Sequence, residues 1–327
     1  MKYYEIEPEN NSFKTISIQT TYMCQLKCSN CYLGDMLNNP KYPEVDIDRF
    51  EDTMKRLKGR CDIRFIGAEP TLNKNLPKLI SIARKNGHRP SLLTNGLTLR
   101  REPYVKQLKE AGLNMLGLSM NGGLDDEIYK IFDNGKYAKQ KMQALENCFK
   151  YNLLPHVNVI VDPSNIKVLK PLLDYIIEMA MKYNRRFSPV KFPVMLRLKS
   201  IGQMGNYMKT KTFSLAELAD IAKDLFQSTD TIPGELDDLV FQPNVNGYCE
   251  TRSVIYKMNT PNGILLGKLT DWSVDDDGVP DSGSQRRGIL TDNFKIAPFF
   301  EYYKKELDEI ENEKNKWWNN FYKTIRH

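Results

Sequence analysis

Histidine and tryptophan are scarce in this chain of 327 residues, with three of each, and no apolar run reaches membrane-spanning length. The histidines, His88, His156 and His327, stand far apart, so a metal site that needs one must recruit it from a distance. The opening residues Met1-Lys2-Tyr3-Tyr4-Glu5 lack the apolar stretch of a secretion signal. A reducing, cytoplasmic home follows, in which the six cysteines are not expected to form disulfides. Charge of one sign is not in large excess either. With 47 basic and 41 acidic residues the net charge is +6, compatible with an anionic partner but no indication of nucleic-acid binding. What is present is an ordinary globular composition, 41% hydrophobic, 10% aromatic and 27% charged. It can bury a large core, as one long α/β domain or a domain with an appendage.

Through the first 200 residues short β-rich runs alternate with helical patterns. Strands are expected at Phe13–Gln19, Cys61–Ile66, Pro90–Thr94, Met115–Ser119, Pro155–Val161 and Phe192–Leu198. Helices are expected at Val45–Lys58 with Asp46 as N-cap, Leu76–Asn86, Tyr104–Ala111, Lys136–Tyr151 and Val168–Tyr183. Six β-α repeats imply a parallel sheet with right-handed crossovers, and periodicity alone leaves an open doubly wound sheet and a barrel both possible. Beyond Ser200 the alternation stops. Gly202–Gly205 reads as a turn, Ser214–Gln227 as a capped helix and Thr231–Asn246 as a connection. Val254–Met258 and Ile264–Leu269 read as a hairpin, Asp275–Gly288 as a loop and Phe299–Tyr322 as a final helix.

The most informative segment follows the first strand: Cys24, Cys28 and Cys31 in Cys24-Gln25-Leu26-Lys27-Cys28-Ser29-Asn30-Cys31-Tyr32. Three thiolates can hold three corners of an iron–sulfur cube, which ordinarily takes four cysteines, and so leave one iron open to a non-protein ligand. Zinc is the competing reading of the loop, and it too would need a fourth ligand from elsewhere. Later strands end in short polar segments: Gly67-Ala68-Glu69-Pro70, Thr94-Asn95-Gly96 and Ser119-Met120-Asn121-Gly122. A small residue permits close backbone approach, and a carboxylate accepts from an ammonium.

The CxxxCxxC loop, followed in order by these segments, resembles the radical S-adenosylmethionine (SAM) superfamily. The resemblance implies an α/β fold, a partial (βα)6 TIM-like barrel over residues 1–200, with a smaller C-terminal α+β extension over 201–327. It implies one [4Fe–4S] cluster on Cys24, Cys28 and Cys31, with SAM bound at the open iron. Gly67, Ala68, Glu69 and Pro70 are similar to the family's GGEP motif, which holds the SAM amino group; Ala68 replaces the second glycine. Thr94 and Asn95 resemble the Thr-Asn-Gly turn of relatives, and Ser119 and Asn121 stand where relatives carry Ser-x-Asp-Gly near the ribose or carboxylate. Arg197 is placed to pair with a SAM or substrate carboxylate, or to cap the barrel through backbone carbonyls. Relatives carry an aromatic residue near adenine where Asn30 stands, and Tyr32 or Tyr22 is the substitute.

Gly247-Tyr248-Cys249 and the hairpin after it resemble the start of a SPASM or twitch extension, whose second cysteine would fall near Leu266 and Gly267. No cysteine follows Cys249, so a remnant without an auxiliary cluster is expected. Cys249 is then either an inert buried thiol or a hydrogen donor to a substrate radical, with Tyr248 as a rival donor or stacking platform. Cys61 and Cys148 read as core, and Trp317-Trp318 as a packing anchor.

The implied function is reductive cleavage of SAM and hydrogen abstraction from a substrate C–H bond. The electron donor would be of flavodoxin or ferredoxin type. The SPASM resemblance tilts the substrate toward a ribosomally made peptide, with a sugar or antibiotic precursor as the alternative. The twelve residues before the first strand leave no room for a leader-peptide domain, which weighs against the peptide. A non-catalytic metal-binding or sensory protein is the competing class. It would not need Glu69 or the ordered strand-end motifs.

Overall fold

A computed structural model describes residues 3–29, 31–189, 193–200, 213–226, 252–271 and 287–325. Strands β1 (Thr15–Gln19), β2 (Asp62–Ile66), β3 (Arg89–Thr94), β4 (Met115–Ser119), β5 (Leu154–Ile160) and β6 (Met195–Lys199) pair in parallel, each with the next in the chain. Their apolar side chains are buried on both faces, as a sheet covered by crossover helices requires. The helices are α1 (Ile47–Arg56), α2 (Leu76–Lys85), α3 (Glu102–Glu110), α4 (Asp126–Phe132), α5 (Ala138–Lys150) and α6 (Leu169–Lys182). Asp46 caps α1, its carboxylate accepting from the Arg49 N–H at 2.8 Å, and the helix then turns Phe50 and Met54 into the core. Cys61 and Cys148 are both core residues, as their sequence settings suggested.

After β6 come α7 (Leu215–Phe226), β7 (Arg252–Thr260), β8 (Gly263–Asp271), β9 (Arg287–Leu290), β10 (Ile296–Pro298) and α8 (Phe299–Ile325). The sheet runs β10-β9-β1-β2-β3-β4-β5-β6-β8-β7. Its two ends do not pair, so it forms the expected partial barrel rather than a closed one. The β7–β8 hairpin, expected from the Asn262-Gly263 turn, lays β8 parallel to β6. At the other edge β9 lies parallel to β1 and β10 folds back on it.

Two expectations change. Helix α4 sits in what read as a strand-to-helix connection, because Asp125 caps it through the Glu127 N–H and Ile128, Tyr129 and Phe132 are buried. The end of the loop expected over Asp275–Gly288 is strand: Arg287 and Gly288 open β9, and the buried Ile289 and Leu290 that follow cover the exposed edge of β1. The Gly202–Gly205 turn, the 231–246 connection and residues 275–286 lie outside the described residues, as do Asn30, Tyr248, Cys249 and the side chains of Trp317 and Trp318.

Gly267, where a second SPASM-type cysteine would fall, packs its Cα face on the Phe226 ring; an added Cβ would stand 2.4 Å from the ring edge. Phe226 is itself stacked on Tyr256 at 6.0 Å and has little room to yield. Replacing Gly267→Ala is expected to destabilise the protein by about 1–3 kcal/mol through overpacking, read as a lower urea midpoint with an unchanged slope.

Candidate active site

Parallel strands deliver their following loops to one rim, and β1 and β2 remain paired past their last residues. The Thr20 N–H donates to the Ile66 carbonyl at 2.9 Å, and Ala68 and Glu69 N–H groups donate to Thr21 and Met23 carbonyls, each at 3.0 Å. Gly67 makes this crossing possible, since a Cβ there would lie 2.6 Å from the Thr21 carbonyl oxygen. The cysteine loop leaves from this crossing. Asn38 clamps its start, accepting from the Cys24 N–H at 2.8 Å and donating to the Cys24 carbonyl at 3.2 Å.

Cys24, Cys28 and Cys31 line one cavity of about 300 Å³. Gly67, Ala68, Thr94, Asn95, Ser119, Asn121, Arg197 and Tyr32 line the same cavity, which brings together most of the residues singled out from the sequence. Tyr32 is held edge-on to Tyr303 at 5.3 Å, whereas Tyr22 is stacked on Tyr42 and does not face the cavity. Asn121 is partly committed, its side-chain oxygen accepting from the Ile160 N–H at 3.0 Å.

Glu69 and Pro70 sit behind the wall rather than in it, both buried. The Glu69 carboxylate ties the loop after β2 to the end of β3. Its Oε1 accepts from the Thr71 N–H at 3.1 Å and from the Thr71 and Thr94 hydroxyls at 2.6 Å each, and its Oε2 accepts from the Asn95 N–H at 2.7 Å. Burial raises its pKa, and these hydrogen bonds oppose the rise. Oε2, with a single donor, keeps a second lone pair for one more.

The donor set at the rim is soft sulfur with nitrogen donors aimed at it. The Leu26 N–H reaches the Cys24 sulfur at 3.3 Å, and the Asn95 amide nitrogen reaches it at 3.7 Å. Burial pushes the Cys24 thiol up to about 12 and raises Cys28 and Cys31 as well. A bound metal reverses that balance by taking the thiolates as ligands. Among the described residues no three Cys, His, Asp or Glu side chains are grouped to hold a single metal ion. Zinc requires its sulfurs at about 2.3 Å from one point. Three thiols on one cavity wall can each meet a separate iron corner of a cluster.

Residues 18–166 match the family model described as Radical SAM superfamily. Among curated proteins, the 7,8-dihydro-6-hydroxymethylpterin dimethyltransferase of Methanocaldococcus jannaschii is 26% identical over 309 residues, covering 90% of this chain and 56% of that protein. The Fe-coproporphyrin III synthase of Methanosarcina barkeri is 28% identical over 48% of this chain and 39% of its own length. A probable GTP 3′,8-cyclase of Methanococcus aeolicus is 30% identical over 51% of this chain and 56% of its own. The chain thus spans about half the length of the curated relatives it matches. Among solved structures, Streptococcus suis SuiB bound to S-adenosylmethionine aligns with a TM-score of 0.52 at 16% identity, over 65% of this chain and 46% of that one. SuiB bound to its precursor peptide SuiA gives 0.53. At that identity the likeness is one of fold.

One pair beside the cysteines escaped the sequence reading. Lys141 on α5 and Asp133 after α4 form an ion pair at 2.6 Å with both side chains essentially shut from solvent. The Lys141 ammonium also donates to the Ser119 carbonyl at 3.0 Å and lies 4.8 Å over the Tyr129 ring, while the Cys28 thiol reaches Asp133 at 3.5 Å. The pair thus ties the cysteine loop to the end of β4. Asp133→Asn is expected to cost about 3–5 kcal/mol, because Lys141 is left as an uncompensated buried charge. The double change Asp133→Leu with Lys141→Met is expected to cost less than the single one. Urea unfolding of both variants checks the order.

Proposed function

We propose that this radical SAM enzyme, whose family domain spans residues 18–166, holds one [4Fe–4S] cluster on Cys24, Cys28 and Cys31 and binds SAM across the neighbouring strand ends to modify a small molecule by hydrogen abstraction. The observation that carries the reading is that three thiols and the Gly67-Ala68, Thr94-Asn95, Ser119 and Asn121 segments line one cavity at the C-terminal rim of a parallel sheet. That rim is where such folds do their chemistry. When bound, the cluster supplies the electron that cleaves SAM and furnishes a 5′-deoxyadenosyl radical.

The chain's own residues bind, orient and shield. Three cysteines leave one corner of a four-iron cube for an outside ligand, and the amino and carboxylate groups of SAM fit that vacancy. Gly67 and Ala68 offer close backbone approach. Glu69 keeps the loops after β2 and β3 in fixed relation, and its remaining Oε2 lone pair can accept a hydrogen bond from an ammonium. Tyr32, braced by Tyr303, offers a face for the adenine. Leu26, Leu37, Ile66, Leu93 and Phe299 give the wall apolar patches that keep water and stray hydrogen donors away from a radical. An external one-electron donor of flavodoxin or ferredoxin type is the partner this chemistry requires. The named activities of the curated relatives concern a pterin, a porphyrin and a nucleotide, which favours a small molecule over a peptide.

Anaerobic reconstitution tests the proposal. About four irons and four sulfides per chain are expected, with 5′-deoxyadenosine released from SAM on adding dithionite. Cys28→Ala should lose both. Zinc as the bound metal, with no deoxyadenosine formed, overturns the reading.

A further inference from the structure

The ion pair of Lys141 and Asp133 stands where a charge acts strongly on the cysteine sulfurs. Both residues line the cavity, and their side chains are 0% and 2% exposed. The carboxylate lies between the other two groups. Its Oδ1 accepts from the Cys28 thiol at 3.5 Å, and its Oδ2 accepts from the Lys141 ammonium at 2.6 Å. Neighbouring contacts hold this order. The Ser29 N–H donates to the Phe132 carbonyl at 3.0 Å, and the Asp133 N–H donates to the Tyr129 carbonyl at 2.8 Å. The Ser29 hydroxyl donates to the Ile131 carbonyl at 3.3 Å. Cys28 and Asp133 are thus held side by side through the residues next to them.

Stability does not account for the arrangement. The attraction within a buried ion pair offsets its desolvation only in part, and apolar side chains of similar volume commonly serve as well. Lys141 uses its N–H groups on Asp133 and the Ser119 carbonyl and sets its charge 4.8 Å over the Tyr129 ring. Asp133 gives one oxygen to Lys141 and the other to a thiol, which is a weak donor. The ion pair alone does not require that second contact. Once the Cys28 sulfur is a metal-bound thiolate, the proton of this hydrogen bond is gone. Oδ1 then faces a negative sulfur at a place closed to bulk water, where charges act on one another with little screening.

The potential of an iron–sulfur cluster follows the charge and the hydrogen bonding around its sulfurs. Reduction adds an electron, so a carboxylate set against one ligand opposes it, and an ammonium beyond that carboxylate favours it. The nearer charge prevails. We propose that Asp133 lowers the reduction potential of the cluster held by Cys28 and that Lys141 limits the effect, so that the pair sets how strong a reductant the cluster is. This rests on the reading of the rim given above and goes beyond it, since it assigns reducing power to two residues outside the ligand set. Cleaving a sulfonium with one electron calls for a strong reductant, which is the direction in which Asp133 acts. Asp133 and Lys141 are positioning residues that act through the Cys28 sulfur.

The test is a potentiometric titration of the anaerobically reconstituted protein without SAM, followed by the electron paramagnetic resonance of the reduced cluster. Asp133→Asn is expected to shift the midpoint upward, by losing the charge and by offering the sulfur an amide N–H. Lys141→Met is expected to shift it downward. The double change Asp133→Leu with Lys141→Met should shift it upward, by less than Asp133→Asn. Lys139→Met removes an exposed charge that water and salt screen, and it should leave the midpoint unmoved. Should Asp133→Asn not fold, the sign of the shift in the double variant decides. A midpoint unmoved or lowered in Asp133→Asn or in the double variant overturns the proposal. Shifts of the same sign in both single variants, or an equal shift in Lys139→Met, do so too. A double variant that takes up no iron while the wild type does also overturns it, since the pair is then a structural tie. Failure of the rim reading shows differently, as a wild type that assembles no cluster and forms no deoxyadenosine.

Discussion

The parallel register of β1 through β6 is the constraint on which everything else depends. Because each strand runs in the same direction as its neighbours, each following loop emerges at one rim, and side chains two residues back along the strands point into one interior. The cysteine loop, the Gly67 crossing and the turn at Asn95 are brought together there by the ladder, and hydrogen bonds between them then hold them. Glu69 then converts adjacency into a fixed arrangement. One buried carboxylate takes donors from Thr71, Thr94 and Asn95, and Asn95 in turn touches the Cys24 sulfur. A displacement at β3 is therefore felt at the first cysteine.

Such an arrangement places polar and charged groups where an apolar core would be more comfortable. Burying a carboxylate or an ammonium is costly unless its partners are in place. Glu69 meets the condition with hydrogen bonds alone, and Lys141 meets it with Asp133, the Ser119 carbonyl and the Tyr129 ring. Apolar packing around the site supplies the compensation. A single large cluster runs from Phe13 and Phe50 through Leu92 and Leu118 to Leu196 and Leu269, and it packs the helices against the sheet. The cysteine sulfurs thus ride on a loop clamped by its own Asn38 and joined to the residue after α4 through Cys28 and Asp133.

Much of this was legible in the residues because it is local. The cysteine spacing, the glycine at the β1–β2 crossing, the Asp46 cap and the hairpin turn at Gly263 each act within a few positions of themselves. Interactions set by tertiary pairing were not legible. Nothing in Arg287-Gly288-Ile289-Leu290 announces that it will pair beside β1, nearly the whole chain away, so Arg287 and Gly288 read as the end of a loop. Lys141 lies in a helix rich in charged residues and looks solvated until Asp133 is seen beside it. Glu69 was read as a partner for an ammonium; that the Thr71 and Thr94 hydroxyls also claim its Oε1 was not legible, because that pairing is set by the meeting of β2 and β3. The basic residues of the strands that line the cavity did leave a trace. In Asp62-Ile63-Arg64-Phe65-Ile66 the alternation sets Arg64 on the face opposite Ile63 and Phe65, and Arg197 and Lys199 share one face of β6.

The sheet order also shows which part of the chain contributes each wall of the cavity. The family match ends at residue 166, and within it fall the cysteines, the Gly67 crossing, Thr94, Asn95, Ser119 and Asn121. Of Arg64, Arg197, Lys199 and Arg287, which also line the cavity, only Arg64 belongs to that stretch. Arg197 and Lys199 come from β6, Arg287 from β9, and Thr270 and Phe299 add to the same wall from β8 and the start of α8. Strands β8 and β9 reach the cavity because they extend the one sheet at opposite edges, flanking β6 and β1. The cysteine-bearing wall of the cavity and its Arg197, Lys199 and Arg287 wall are therefore contributed by different stretches of sequence, joined by backbone ladders. In such a construction the later strands can change their inward-facing residues without disturbing the sulfurs, since a strand's inward side chains are independent of the hydrogen bonds that hold it in the sheet.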